Sequence, residues 1–172
     1  MNKDLSNIKL VILDVDGTLT DGGVYIDSNG VESKKFNIKD GAGIVLAEKA
    51  GIEFMILTGR KSYCVEHRAN ELKIKYVFQG VADKLSYLQQ FLSQHGLSSD
   101  DVAYVGDDDN DLECMHIVGF TACPADAVEE IRQQCDFVSR YNGGQGAVRE
   151  VCDMIRKEIV RKHSIWAQHR CL

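Results

Sequence analysis

Short apolar runs recur along the chain, with amphipathic stretches between them. KLVIL (9–13), EFMIL (53–57), KYVF (75–78), VAYV (102–105) and FTAC (120–123) predict buried strands. DGAGIVLAEKAG (40–51), SYCVEHRANELK (62–73), ADKLSYLQQFLSQHG (82–96) and NDLECMHIVG (110–119) predict helices, several of them stopping at Gly. Strands alternating with helices imply an α/β fold, a doubly wound, Rossmann-like parallel sheet covered on both faces. Ligands of such sheets sit at the carboxyl ends of the strands.

One segment departs from this pattern. VYIDSNGVESKKFN (24–37) holds two strand-like pieces around Asn29-Gly30, a strong hairpin signal. A small β-hairpin insert, about 24–37, therefore follows the first strand, as a flap or a subunit contact. EVCDMIRKEIVRKHSIWAQHRCL (150–172) starts as an amphipathic helix, and about 156–172 forms a C-terminal tail whose end the pattern leaves open. With one proline and no linker-like, repeated or low-complexity stretch, the chain is expected to form a single domain over 1–172.

Composition narrows the function classes. At 44% hydrophobic and 27% charged, the chain is of globular type, and its net charge of -6 argues against nucleic acid as a partner. Positive charge for an anionic substrate must then be local or carried by a metal. The start, MNKDLSNIKL, lacks the apolar stretch of a signal peptide, and no run reaches membrane-helix length. The six scattered cysteines form no C-x-x-C pair and are expected to be reduced thiols of a cytoplasmic protein rather than zinc ligands.

Chemistry gathers where the strands end. The first ends at Asp14 and Asp16. The second runs into Thr58, Gly59, Arg60 and Lys61, the third precedes Lys84, and the fourth leads to Asp107, Asp108, Asp109 and Asp111. Two carboxylates one residue apart repel each other and lose hydration on burial. A hard cation with oxygen ligands reconciles them, and Mg²⁺ fits best. A metal and a phosphoryl group sharing one rim would account for the whole set.

Asp14-Val15-Asp16-Gly17-Thr18, Thr58, Lys84 and Gly106-Asp107-Asp108, each after a predicted strand, resemble the haloacid dehalogenase-like phosphatases. That resemblance implies Asp14 as nucleophile, forming an aspartyl-phosphate, and Asp16 as general acid and then base. It implies Thr58 as a phosphoryl hydrogen-bond donor and Lys84 as the neutralising cation. It implies Mg²⁺ on Asp14, the Asp16 carbonyl and Asp107, with Asp108 and Asp111 in support.

The resemblance covers roughly 8–155 and narrows further. FNIKDGAGI (36–44), LTGRKS (57–62), FQGVADKL (78–85) and GGQGAVREVCDMI (143–155) are similar to the small capless subgroup, in which a hairpin replaces the cap domain. The subgroup implies a homotetramer acting on sugar-acid phosphates, most closely 3-deoxy-D-manno-octulosonate 8-phosphate (KDO 8-phosphate), with a nonulosonate 9-phosphate as the alternative. Gly59, Arg60, Lys61, Arg68 and the Gly144 backbone are the candidate substrate contacts, with Arg60 and Lys61 suited to a sugar carboxylate. Thr18 departs from the Val that many members carry there. Two other classes fit less well. A signalling receiver domain would carry an adjacent acidic pair rather than D-x-D. A non-catalytic tetramerising domain would have no need of Asp14, Asp16, Lys84 and Asp107.

Overall fold

A computed structural model describes residues 3–169. Its elements run β1 (Leu10–Leu13), β2 (Tyr25–Ile26), β3 (Glu32–Ser33), α1 (Ile38–Glu48), β4 (Glu53–Thr58), α2 (Tyr63–Leu72), β5 (Tyr76–Gln79), α3 (Lys84–His95), β6 (Val102–Val105), α4 (Asp109–Met115), β7 (Phe120–Cys123), α5 (Glu129–Gln134), β8 (Phe137–Val138) and α6 (Ala147–His169). Six strands form one sheet in the order β5-β4-β1-β6-β7-β8, and every pairing is parallel. The chain moves outward from β1 through β4 to β5, then returns to lay β6 on the other side of β1. The order therefore reverses between β1 and β6, and the carboxyl ends of strands at such a switch point are where sheets of this kind take their ligands.

Burial on both faces follows from strand alternation. Val11 and Leu13 face a core built with Phe54, Ile56 and the inner sides of α1, α2 and α6. Leu10 and Ile12 face the opposite core, with Met55, Leu57, Leu88, Phe91 and Ile131. Buried Asp40 ties α1 to its neighbour in the same layer, its carboxylate accepting the N–H groups of Gly146 (3.2 Å) and Arg149 (2.7 Å) at the start of α6.

The hairpin is present, with a longer turn than Asn29-Gly30 alone would make. Asp27 O accepts the Gly30 N–H at 3.0 Å and the Asp27 N–H donates to Val31 O at 3.1 Å, closing a loop over Ser28, Asn29 and Gly30. Only Gly30 is left-handed there, at φ 81°, so this is a type I turn followed by a bulge. Among the described residues no larger cap is inserted. α5 and β8 go beyond the expected elements, β8 being a two-residue edge strand too short for a pattern. The expected helix at 110–119 stops at Met115, and the C-terminal helix begins at Ala147 and continues through His169, so no separate tail breaks from it at 156. Residues 170–172 of the predicted tail lie outside the described part.

Candidate active site

The ends of β1, β4 and β6 and the start of α3 converge on one rim. β1 runs into a tight turn, Val15–Leu19, closed by the Thr20 N–H on Val15 O at 3.0 Å. Gly17 holds φ 95° in this turn, and a Cβ there would lie 2.0 Å from Asp107 Oδ2. Glycine is thus required twice, by its backbone angle and by the approach of a carboxylate.

Lys84 sits at the centre of the rim. It opens α3 behind the N-cap Asp83, and its Nζ lies 2.7 Å from both Asp14 Oδ1 and Asp111 Oδ1. Asp14 and Lys84 are buried, at 5% and 3% exposure. Asp111 is saturated with donors. Its Oδ1 also accepts the Tyr104 hydroxyl (2.7 Å), and its Oδ2 accepts the Asp107 N–H (3.1 Å). Asp107 Oδ1 accepts the Thr18 hydroxyl at 2.8 Å. Thr58 is buried at the end of β4. Asp108 caps α4, its carboxylate accepting the Asp109 N–H at 2.9 Å.

This packing sets the electrostatics. Burial, then the nearby Asp111 carboxylate, push Asp14 up to about 8 even though Lys84 works in the other direction. Burial and the carboxylates of Asp111 and Asp108 push Asp107 up to about 7 against the Thr18 hydrogen bond. Burial opposes the charge of Lys84, but Asp14 and Asp111 prevail and raise it. One ammonium faces three acids, so the rim is short of positive charge. Carboxylate oxygens of Asp14, Asp107 and Asp111 lie within 4.8 Å of one another. Both Asp111 oxygens already accept hydrogen bonds, which leaves Asp14 and Asp107 to face a cation. Two oxygen donors in a charge-deficient, partly buried rim fit a hard divalent ion.

The rim gathers Asp14, Asp107, Asp111 and Lys84 as expected, with Asp16 and Arg60 at its edge. Arg60 is half exposed, with Nε 3.7 Å from Asp16 Oδ2 and Nη2 2.8 Å from Glu32 Oε1. Other expected substrate contacts are placed differently. The Lys61 side chain lies across Gly80, where a Cβ would be 2.4 Å from Lys61 Cε. Arg68 turns toward α1, bonding Glu71 (2.7 Å) and Asn37 O (3.1 Å). Within the single chain it is engaged there, about two helical turns beyond Arg60 along α2. Gly144 donates its N–H to Thr18 O (3.1 Å), and Gly143 donates to Asp126 Oδ1 (2.9 Å). Gly144 thus ties this loop to the Val15–Leu19 turn, and its N–H is engaged within the chain.

Sequence reasoning missed two side chains. Tyr104 lies within an apolar run and reads as core, although its hydroxyl orients Asp111. Lys34 follows β3 and reads as a solvated hairpin residue, yet its side chain is 1% exposed and its ammonium contacts Asp16 Oδ1. The i, i+2 spacing of Glu32 and Lys34 was the available signal.

A parallel sheet with D-x-D at its switch point, a buried lysine and an acidic fourth strand end defines the class: the chain belongs to the haloacid dehalogenase-like hydrolases. A profile of that family matches residues 77–151. Within it, the chain is 46% identical to 3-deoxy-D-manno-octulosonate 8-phosphate phosphatase KdsC of Escherichia coli (strain K12) over 149 residues, 87% of this chain and 79% of that one. The crystal structure of the Yersinia pestis 3-deoxy-D-manno-octulosonate 8-phosphate phosphatase superposes with a TM-score of 0.88 at 40% identity, covering 91% of this chain and 84% of that one. The Moraxella catarrhalis phosphatase, crystallised with magnesium ion, phosphate ion and KDO, superposes with a TM-score of 0.89 at 37% identity over 96% of this chain and 95% of that one.

Proposed function

We propose that this protein is a Mg²⁺-dependent phosphatase, acting as one hydrolase domain, that converts KDO 8-phosphate to KDO and phosphate. The observation that carries the reading is buried Asp14 with Lys84 Nζ 2.7 Å from one of its oxygens, at the switch point of the sheet. Similarity to phosphatases of that name supports the substrate.

A carboxylate oxygen of Asp14 attacks. Its bond to phosphorus forms as the bond to the sugar oxygen breaks, leaving an aspartyl-phosphate. Asp16 delivers a proton to the departing alkoxide, then takes one from the water that cleaves the phosphorus–Asp14 bond. Lys84 holds Asp14 Oδ1 and offsets negative charge through both steps, while Asp111 and Tyr104 fix where its ammonium points. Thr58, buried at the end of β4, would donate to a phosphoryl oxygen. Mg²⁺ would be held by Asp14, the Asp16 carbonyl and Asp107, where it would neutralise the carboxylates and the phosphoryl oxygens. Arg60 would meet the sugar carboxylate.

Phosphate release from KDO 8-phosphate, with Mg²⁺ and with EDTA, tests this directly. Wild type should turn over only with metal, and Asp14→Asn should lose about 10⁴-fold or more. Turnover of a nonulosonate 9-phosphate in preference to KDO 8-phosphate would replace the substrate. Near-normal turnover by Asp14→Asn would remove the mechanism.

The reading includes a cytoplasmic homotetramer. Among the described residues no helix is long and apolar enough to cross a membrane. The hairpin exposes Val24, Tyr25, Ile26 and Val31, apolar surface that a neighbouring copy would cover. Light scattering at micromolar concentration should give four times the chain mass, and a monomer would overturn this part.

A further inference from the structure

Lys34 belongs to a hairpin that could not fold alone, since each of its strands is two residues long. Its side chain is nevertheless 1% exposed, the kind of burial an ammonium accepts only against compensating charge. That charge is the Asp16 carboxylate, contacted at Oδ1, with Glu32 Oε1 3.5 Å away. Glu32 and Lys34 are two apart and share the face turned to the rim. Glu32 pairs with Arg60 at 2.8 Å and the Cys64 thiol donates to Glu32 O at 3.5 Å, which holds the hairpin just before Lys34, and Phe36 just after it forms a β-bridge with Thr20. The second Asp16 oxygen faces Arg60 Nε at 3.7 Å. The Asp16 carboxylate is therefore held from two directions, by the hairpin and by the segment after β4.

We propose that Lys34 is the positioning residue for Asp16: the hairpin's lysine sets the orientation in which Asp16 meets the leaving oxygen of the phosphate ester. This rests on the phosphatase reading and extends it, because it makes the insert part of the proton-transfer apparatus. Asp14 is fixed from within the sheet by Lys84. Asp16 is one-quarter exposed and projects beyond the strand, so the sheet alone does not fix its carboxylate.

The test compares two leaving groups. A sugar alkoxide needs a proton as it departs, and p-nitrophenolate does not. The constant kcat/KM reports steps up to departure of the leaving group, before the aspartyl-phosphate is hydrolysed. Lys34→Met should lower kcat/KM for KDO 8-phosphate about 100-fold while p-nitrophenyl phosphate changes less than about 5-fold. Lys34→Arg should recover most of the loss, since it restores a cation on the same strand face. Lys35→Met, on the opposite face, should leave the ratio of the two substrates unchanged. Equal losses on both substrates, or a ratio shifted as much by Lys35→Met, would make Lys34 a structural prop and overturn the proposal. A Lys34→Met enzyme within about twofold of wild type on both substrates would also overturn it. Wild type inactive on both phosphates would instead overturn the phosphatase reading, and the role of Lys34 with it.

Discussion

Two groups of ion pairs meet at this site and are held in different ways. At the sheet rim, Lys84 bridges Asp14 and Asp111 with all three side chains at 7% exposure or less. On the hairpin side, Lys34 is equally buried, but its partners Asp16 and Glu32 are 26% and 22% exposed and Arg60 is 53% exposed. Similar distances have opposite electrostatic results. Asp14 is pushed up to about 8 by burial despite an ammonium 2.7 Å away. Glu32 is held below its ordinary value by Ser62 and Arg60, because water still reaches it. The carboxylate proposed to attack phosphorus thus sits buried at the sheet rim, and the groups proposed to meet the sugar sit where they can exchange partners.

The largest effect expected from this contrast is on stability. Lys84→Met leaves Asp14 and Asp111 buried without their cation and should cost about 3–5 kcal/mol. At about 2–4 °C per kcal/mol for a chain of this size, the melting temperature of the EDTA-treated protein should fall by roughly 6–20 °C. Lys34→Met should cost less than about 1 kcal/mol, since Asp16 can turn to water. Equal losses in the two variants would abolish the distinction between rim and hairpin.

pH should separate the regions next. In the folded, metal-free protein Asp14 titrates at about 8 and Asp107 at about 7, against an ordinary 3.8. Above about pH 4 the unfolded chain has released these protons while the folded one keeps them, so their contribution is complete below pH 4 and is lost as pH rises through 7 and 8. Stability with EDTA should decline by up to about 1.4 kcal/mol per pH unit for each group. Mg²⁺ replaces the protons and should flatten the decline, and Asp107→Asn should respond less to Mg²⁺. Melting curves between pH 5 and 8.5 check this. A flat EDTA profile would mean that the rim carboxylates are not short of positive charge.

On the hairpin side the expected effect is on affinity. Arg60→Ala should raise KM for KDO 8-phosphate about tenfold, the worth of one charged hydrogen bond, and leave p-nitrophenyl phosphate nearly unchanged. Equal changes on both substrates would move Arg60 into the phosphate site and blur the division between bond making and recognition.

The same contrast governs what the sequence made legible. Asp14, Thr58 and Asp107 follow the apolar runs of β1, β4 and β6, and it was their order along the chain, with the family resemblance it carries, that placed them before any coordinates. Lys84 could be added only as the third element of that ordered set, since a lysine at a helix start is by itself ordinarily at the surface. Tyr104 could not, because a buried tyrosine inside a strand reads as packing. Lys34 could not, because a hairpin lysine is ordinarily solvated and its burial depends on docking across a loop. The Arg68 contact with the Asn37 carbonyl at the start of α1 was hidden for a related reason, since it exists only once α1 and α2 have packed.

The smallest effect expected concerns Thr18, beside the Asp16-Gly17 turn. Its hydroxyl donates to Asp107 Oδ1 at 2.8 Å, and Gly17 beside it makes room for Oδ2. The hydrogen bond favours the ionised carboxylate and works against the burial that pushes Asp107 up to about 7. Thr18→Val keeps the shape and removes the donor. Asp107 should then hold its proton to a higher pH and give it up less readily to a metal. A hydrogen bond of this kind is worth about 1 kcal/mol, so the Mg²⁺ needed for half-maximal activity should rise about fivefold near pH 7. The deficit should shrink toward pH 8.5, where Asp107 is ionised in both proteins. Mg²⁺ titrations of wild type and Thr18→Val at both pH values measure it. A fivefold deficit persisting unchanged at pH 8.5 would mean that Thr18 acts by orienting Asp107 rather than by easing its ionisation. No deficit at either pH would mean that Asp107 is held by the Val15–Leu19 turn alone.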